Sequence, residues 1–327
     1  MGAGYVVPRS QNKITREDGC LPELRKNYLT EEIVVISTER ADRPVTFSKG
    51  KSACPFCPEN SQFVPKEKYR SENGRVRIFD NKYPIFNQNE SSAYGIHEVV
   101  VDTDLHEERL HQFCAEDICA VFQGIVDRIN FYKENPQIKY VQIFKNEGER
   151  AGASIEHSHW QIVATSYVPQ KQKAIAKNAN RYHQETSECY TCYSIKSIEK
   201  FIVTENEHFV AYCPYASIYP YEINIVSKRH CADLKNFSYE ELQKLSEILK
   251  TALSALYNIF ENLDYNICIY NSLYHDLQYD YDEILHFYIQ IVPRTGSMAG
   301  FEFSTDSHIN SIYPEDVAKK LKNIINT

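Results

Sequence analysis

Asn146-Glu147-Gly148-Glu149-Arg150-Ala151-Gly152-Ala153-Ser154-Ile155-Glu156-His157-Ser158-His159-Trp160-Gln161 is the stretch around which the chain is organised. It ends in His157-x-His159-x-Gln161 and runs on into the apolar Ile162-Val163-Ala164. That ending reads as a β-strand, in which residues two apart share a face. Two imidazoles and an amide then point the same way. Ahead of them, Gly148, Gly152 and the small Ala153-Ser154 pair form a loop whose backbone N–H groups can approach a bound anion closely. A nucleophilic imidazole beside a phosphate cradle suits attack on phosphorus. The alternative is an ordinary strand carrying two buried, hydrogen-bonded histidines.

The stretch resembles the active-site segment of the galactose-1-phosphate uridylyltransferases, in the histidine triad superfamily. Their pattern of Asn-x-Gly, Gly-x-Ser and His-x-His-x-Gln is met by Asn146, Gly148, Gly152, Ser154, His157, His159 and Gln161. The resemblance implies that His157 holds a metal, His159 is the nucleophile, and Gln161 binds phosphoryl oxygens. Ala153 stands where several members have a cysteine that is not the nucleophile.

Composition sets the frame. The 327 residues suffice for two ordinary domains or one large one. Apolar residues make up 43%, with eleven glycines and thirteen prolines, so the chain is globular rather than disordered. No apolar run reaches the ~18 residues that would span a bilayer. The N-terminal segment lacks a basic-then-apolar signal pattern. Ten cysteines without such a signal point to a reducing cytoplasm and to metal ligation by some of them. A net charge of −8 disfavours a broad grip on nucleic acid, though not a small phosphorylated ligand.

Further motifs flank the central stretch. Ser37-x-x-Arg40-x-x-Arg43-Pro44 reads either as a solvated loop or, by the resemblance, as a segment whose Arg40 and Arg43 bind a nucleotide sugar. The guanidinium fork suits phosphate oxygens. Cys54-Pro55-Phe56-Cys57 is a redox pair or half a metal site, and the absence of a thioredoxin-like βαβ context favours metal. By family position, His106 and His157 complete the set. Such a site is closed and four-coordinate, so its metal is structural; zinc suits the ligands and iron shares them. The apolar residues of Ile78 to Pro84 either only pack or, by the resemblance, belong to an Asn-containing turn beside the nucleoside pocket, with Phe79 and Tyr83 flanking a base and Asn81 bonding ribose or phosphate. Residues 107–134 carry helical spacing.

The second half echoes the first. Cys189-x-x-Cys192, Tyr221-Glu222-Ile223 with His230, Tyr265 to Asn271, and His286-x-Tyr288-x-Gln290 follow in the same order as their counterparts. Glu98 and Glu222 each precede a histidine by eight residues. The expectation is an α+β fold of two histidine-triad-like domains, 1–168 and 169–327, each an antiparallel sheet with a packed helix. Tyr288 replaces the nucleophilic histidine, so only the first copy is expected to be catalytic. Cys189, Cys192, His230 and His286 are either a second metal site or core residues left from duplication. Met298-Ala299-Gly300-Phe301-Glu302 resembles a family segment that reaches the partner's substrate in dimeric members, so a homodimer is a further expectation.

The implied reaction is nucleotidyl transfer through a nucleotidyl-histidine, with Ser154 and Gln161 assisting His159 and Arg40, Arg43, Phe79, Asn81, Asn146 and Gly152 binding substrate. Donor and acceptor are a nucleotide sugar and a sugar 1-phosphate. A second reading is an ADP-glucose phosphorylase-like transfer to inorganic phosphate. A third, of another class, is a zinc-stabilised binding protein whose catalysis has lapsed; intact His159 and phosphate-loop residues argue against it.

Overall fold

The structure is a computed structural model and describes residues 23–26, 33–36, 54–89 and 92–327. Arg40 and Arg43 lie outside the described residues.

The elements in chain order are β1 (Glu23–Lys26), β2 (Ile33–Ile36), β3 (Glu67–Arg70), β4 (Arg77–Asp80), β5 (Gly95–Val101), α1 (Ala115–Lys133), β6 (Tyr140–Glu147), β7 (His159–Thr165), α2 (Gln170–Thr186) and α3 (Tyr190–Ser194). Then come β8 (Ile202–Glu205), β9 (Phe209–Tyr212), β10 (Ile223–Ser227), α4 (Tyr239–Tyr257), β11 (Tyr265–Tyr270), α5 (Tyr281–Ile284), β12 (Tyr288–Pro293), α6 (Gly300–Thr305) and α7 (Pro314–Ile325). The β1–β2 pair stands apart. The other ten strands form one sheet in the order β3-β4-β5-β7-β6-β11-β12-β10-β9-β8.

The α+β class is as expected, with each half supplying an antiparallel five-stranded sheet; the two half-sheets join into one. β6 and β11 pair antiparallel at the centre, Asn146 opposite Asn266. Outward from this seam the order reads β7-β5-β4-β3 on one side and β12-β10-β9-β8 on the other. Joining the halves satisfies the backbone groups of what would otherwise be two exposed central edges.

Alternation along the strands splits the sheet into two faces. Trp160, Ile162 and Ala164 of β7, Val141 and Ile143 of β6, and Ile267 and Ile269 of β11 are buried in one continuous core with α1 and α4. Burying a large apolar side chain there contributes roughly 1.5–3 kcal/mol. α4 opens with a capping box: Ser238 Oγ accepts the Glu241 N–H at 3.2 Å, and Glu241 Oε2 accepts the Ser238 N–H at 2.8 Å. The opposite face carries His159, Gln161, Asn146 and their neighbours.

The helix expected from residue 107 begins at Ala115. Leu110–Gln112 form a separate 3₁₀ turn, and Cys114 is extended (φ −71°, ψ 162°). Leu110 and Phe113 are buried, so they fit an apolar periodicity without belonging to the helix.

Strand register corrects the repeat by one residue. Gln161 stands opposite Val99, whereas Gln290 stands opposite Asn224. Glu222 therefore matches His97, not Glu98. Likewise Phe144 faces Gln161 and Cys268 faces Gln290, so Asn146 matches Tyr270 and not Asn271. The first shift arises because the run from β5 to His106 is one residue longer than that from β10 to His230.

Candidate active site

One cavity of ≈ 270 Å³ lies against the polar face of β7 and β5, lined by His159, Gln161, Gly152, Ser154, Phe79 and Asn81 among others. Those six are residues expected from the sequence. Asn146 is not part of its lining; it sits on β6, beside the His159 position of β7, with its Oδ1 accepting the Asn266 Nδ2–H at 2.8 Å.

His159 is 6% exposed. Its Nδ1–H donates to the His157 carbonyl at 2.8 Å, which assigns the lone pair to Nε2. Burial is the main cause that holds its pKa down at about 4, and the nearby Lys145 ammonium adds to it. The imidazole is therefore neutral at neutral pH, the form a nucleophile requires. The Phe56 ring packs on it edge-on, centroids 5.1 Å apart, and also meets Phe79 at 5.9 Å.

Gln161 is oriented by a residue that the sequence reading assigned no role. The Ile85 N–H donates to His97 Nδ1 at 3.1 Å. His97 Nε2 thus carries the proton and donates to Gln161 Oε1 at 2.9 Å. With its oxygen held, the Gln161 amide directs its N–H₂ elsewhere. Asn81 Nδ2 lies 3.1 Å from His97 Nε2, and Asn81 Oδ1 accepts the Tyr83 N–H at 2.8 Å, closing the turn after β4. His97 escaped the motif because it reaches Gln161 only through the β5–β7 register.

The loop leading into β7 is built on two glycines with positive φ, Gly148 at 85° and Gly152 at 81°. Such values are rare for residues with a Cβ. Gly152 N–H bonds to Glu149 O and Ala153 N–H to Gly148 O, at 2.9 and 3.2 Å. Ser154 follows at the cavity wall.

Behind the loop, Cys54, Cys57, His106 and His157 bring one ligand atom each within 4.8 Å of all the others, and all four residues are buried. Cys57 Sγ lies 3.4 Å from His106 Nδ1 and 3.6 Å from His157 Nδ1. A tetrahedral zinc site with Zn–S near 2.3 Å and Zn–N near 2.0–2.1 Å has S···N edges of roughly 3.5 Å, so these donors fit. His157 Nε2–H donates to the Thr103 carbonyl at 2.7 Å, leaving Nδ1 as the ligating atom.

The second set repeats this pattern. Cys189, Cys192, His230 and His286 also converge within 4.8 Å, with His230 exposed. Cys192 Sγ lies 3.4 and 3.5 Å from the two Nδ1 atoms. His230 and His286 each turn Nε2 to a carbonyl, of Asp282 at 2.8 Å and Ser227 at 2.9 Å. Both clusters can hold a metal ion.

The second half has no matching cavity chemistry. Tyr288 stacks on Tyr270 with centroids 4.2 Å apart, and burial pushes its phenol well above the ordinary value. Gln290 is consumed internally: its Nε2 donates to Glu222 at 2.7 Å and its Oε1 accepts from Tyr270 at 3.0 Å. Glu222 in turn accepts the Ile218 and Tyr219 N–H groups.

Among the described residues no helix is long and apolar enough to cross a membrane. α6 carries the Gly300-Phe301-Glu302 segment at the surface, Phe301 being 54% exposed.

Comparison with known proteins places these features in a family. Residues 112–327 match the family described as Domain of unknown function (DUF4921), and residues 35–168 match the Domain of unknown function (DUF4931) N-terminal domain. The chain is 31% identical to ADP-glucose phosphorylase of Arabidopsis thaliana over 93% of both chains. It is 29% identical to galactose-1-phosphate uridylyltransferase of Thermotoga maritima, over 92% of this chain and 98% of that one. The crystal structure of an ADP-glucose phosphorylase from Arabidopsis thaliana with bound ADP-glucose superposes with a TM-score of 0.78 at 32% identity, covering 92% of this chain and 98% of that one. With such relatives aligned over nearly its whole length, the chain belongs to the family of galactose-1-phosphate uridylyltransferases and ADP-glucose phosphorylases.

Proposed function

We propose that the protein is a nucleotidyltransferase of the galactose-1-phosphate uridylyltransferase type, moving a nucleoside monophosphate from a nucleotide sugar to a sugar 1-phosphate by way of His159. The observation that carries the reading is a neutral imidazole lining the cavity whose Nδ1–H is bound to the His157 carbonyl, which leaves the lone pair on Nε2. In the first step Nε2 attacks the α-phosphorus of the donor. The bond from phosphorus to the bridging oxygen breaks, and the sugar 1-phosphate leaves with that electron pair. In the second step a phosphate oxygen of the acceptor attacks the same phosphorus and Nε2 recovers its pair. No net proton is consumed. The Nδ1–H bond steadies the positive charge that the ring carries in between.

Gln161 N–H₂ and Ser154 neutralise charge on the phosphoryl oxygens as it develops, a role supported by their both lining the cavity. Phe79 and Asn81 line the nucleoside side of the cavity, with Gly152 at the phosphate side. Arg40 and Arg43 belong to the proposal as donors to the nucleotide sugar. Zinc, or iron, held by Cys54, Cys57, His106 and His157 would be four-coordinate and would supply a structural tie without an open ligand position. The reading assigns catalysis to residues 1–168 and support to 169–327, with Cys189, Cys192, His230 and His286 as a second structural site.

A second reading, transfer of an adenylyl group from an ADP-sugar to inorganic phosphate, is favoured by the 31%-identical plant relative of that name. The two share every step up to the identity of base and acceptor. Incubation with UDP-glucose and with ADP-glucose, followed by intact-mass analysis, tests both. A uridylyl mass gain supports the first and an adenylyl gain the second; no gain with either rejects both.

A further inference from the structure

The second half contributes directly to the catalytic loop of the first. Asn266 on β11 stands opposite Asn146 on β6. Its Nδ2 donates to Asn146 Oδ1 at 2.8 Å and to the Ala151 carbonyl at 2.9 Å. Two residues before it, Asp264 Oδ2 accepts the Arg150 N–H at 2.7 Å. The other oxygen, Oδ1, lies 2.2 Å from where a Cβ on Gly148 would stand. Gly148 is thus needed twice, for its φ of 85° and for the room that the Asp264 carboxylate takes. The Asp264 carbonyl accepts the Arg294 N–H at 2.8 Å, fixing the start of β11 against the end of β12.

We propose that Asp264 and Asn266 are positioning residues for nucleotidyl transfer, a clamp by which the half lacking the nucleophile holds the Gly148–Gly152 turn of the half that has it. The proposal rests on the reading of His159 given above. Two bonds from one strand end reach the turn at Arg150 and Ala151, and a third holds Asn146 at the end of β6 just ahead of it; Gly152 and Ser154, which follow, wall the cavity beside His159. With Asn146 Oδ1 occupied, the Asn146 amide hydrogens are directed away from Asn266. A turn displaced by about 1 Å at such a place can cost ~100-fold in rate.

The test uses Asn266→Ala, Asp264→Ala and the conservative Asp264→Asn, which keeps an acceptor for the Arg150 N–H. Hydrogen exchange read by mass spectrometry over residues 146–156 should speed up in both alanine variants while α1 and α4 keep parental protection. With whichever of UDP-glucose or ADP-glucose labels the parent, nucleotidyl-protein formation should slow by about 10- to 100-fold, with the half-saturating donor concentration moving less than about threefold. Asp264→Asn should stay within about threefold of the parent. Asn146→Ala and Asn266→Ala should combine less than additively, because they act through one contact. Unchanged exchange in the loop overturns the clamp, as does a loss of protection spread evenly over the molecule. If neither donor labels the parent, the reading of His159 falls, and the loop exchange by itself still decides whether the clamp exists.

Discussion

His97 Nε2 and Gln161 Oε1 meet at 2.9 Å across β5 and β7, and this contact fixes which end of the glutamine amide is free. His97→Ala removes that orientation while leaving the amide in place. Nucleotidyl-protein formation is expected to fall by about 100-fold, the lower end of what loss of one charge-stabilising donor costs, because the amide itself stays in place. Metal content should not change, since His97 lies outside both cysteine–histidine clusters. A parental rate in His97→Ala, measured by rapid quench and intact mass, would show that Gln161 needs no partner.

The second half should form no covalent intermediate. Tyr288→Phe removes only a phenol that burial keeps protonated, and it retains the stack on Tyr270. Transfer should stay within about twofold of the parent, since Tyr288 is not among the residues that line the cavity beside His159. Tyr288→His should create no second site, because Gln290 is already bonded to Glu222 and Tyr270. A second nucleotide per chain in Tyr288→His, read by mass, contradicts this.

The cluster of Cys54, Cys57, His106 and His157 should couple metal to folding, since Cys57 and His157 are 100 residues apart in sequence. Cys57→Ser should lower bound metal by one equivalent in elemental analysis. It should also lower the melting temperature by roughly 10 °C, the scale of a few kcal/mol in a domain of this size. Folded, chelator-washed parent without metal and with an unaltered melting temperature would refute the coupling.

Beneath the site, the Lys145 ammonium is wholly buried with Asp102, at 3.1 Å, and Ser158 Oγ, at 2.6 Å. Trp160 Nε1–H also donates to Asp102, at 3.0 Å. Lys145→Met leaves the Asp102 carboxylate buried without its cation, which typically costs about 3–5 kcal/mol. Urea unfolding should read that loss as a lower midpoint at constant slope. A change below about 1 kcal/mol would mean that the Lys145–Asp102 contact contributes no more than an apolar side chain in its place.

Short motifs were legible in part: β7 begins at His159, so His157, expected to share the strand's face with His159 and Gln161, turns instead to Cys54, Cys57 and His106. His157-x-His159-x-Gln161 is a period-2 statement, and the strand places His159 and Gln161 on one cavity wall. Cys54-x-x-Cys57 is a knuckle, and Pro314 does open α7. The residues that went unread act across strands. His97 finds Gln161, and Asn266 finds Asn146, through a register that no single strand encodes. The same blindness displaced Glu222 and Asn271 by one position in the repeat, because equal spacing along the chain conceals a loop longer by one residue. Joining of the two sheets through β6 and β11 was equally invisible, since a central strand and an edge strand of similar composition differ only in what lies beside them.

The nucleophile is tested most directly by the mass of denatured protein after nucleotide sugar is added without acceptor. The parent should gain one nucleoside monophosphate residue per chain, labile to acid as a phosphoramidate is, and lose it when acceptor follows. His159→Gly should gain none, while keeping parental metal content and melting temperature, and should accept a nucleoside phosphorimidazolide that brings its own imidazole. An unlabelled parent with both UDP-glucose and ADP-glucose, or the same adduct on His159→Gly, would contradict the account.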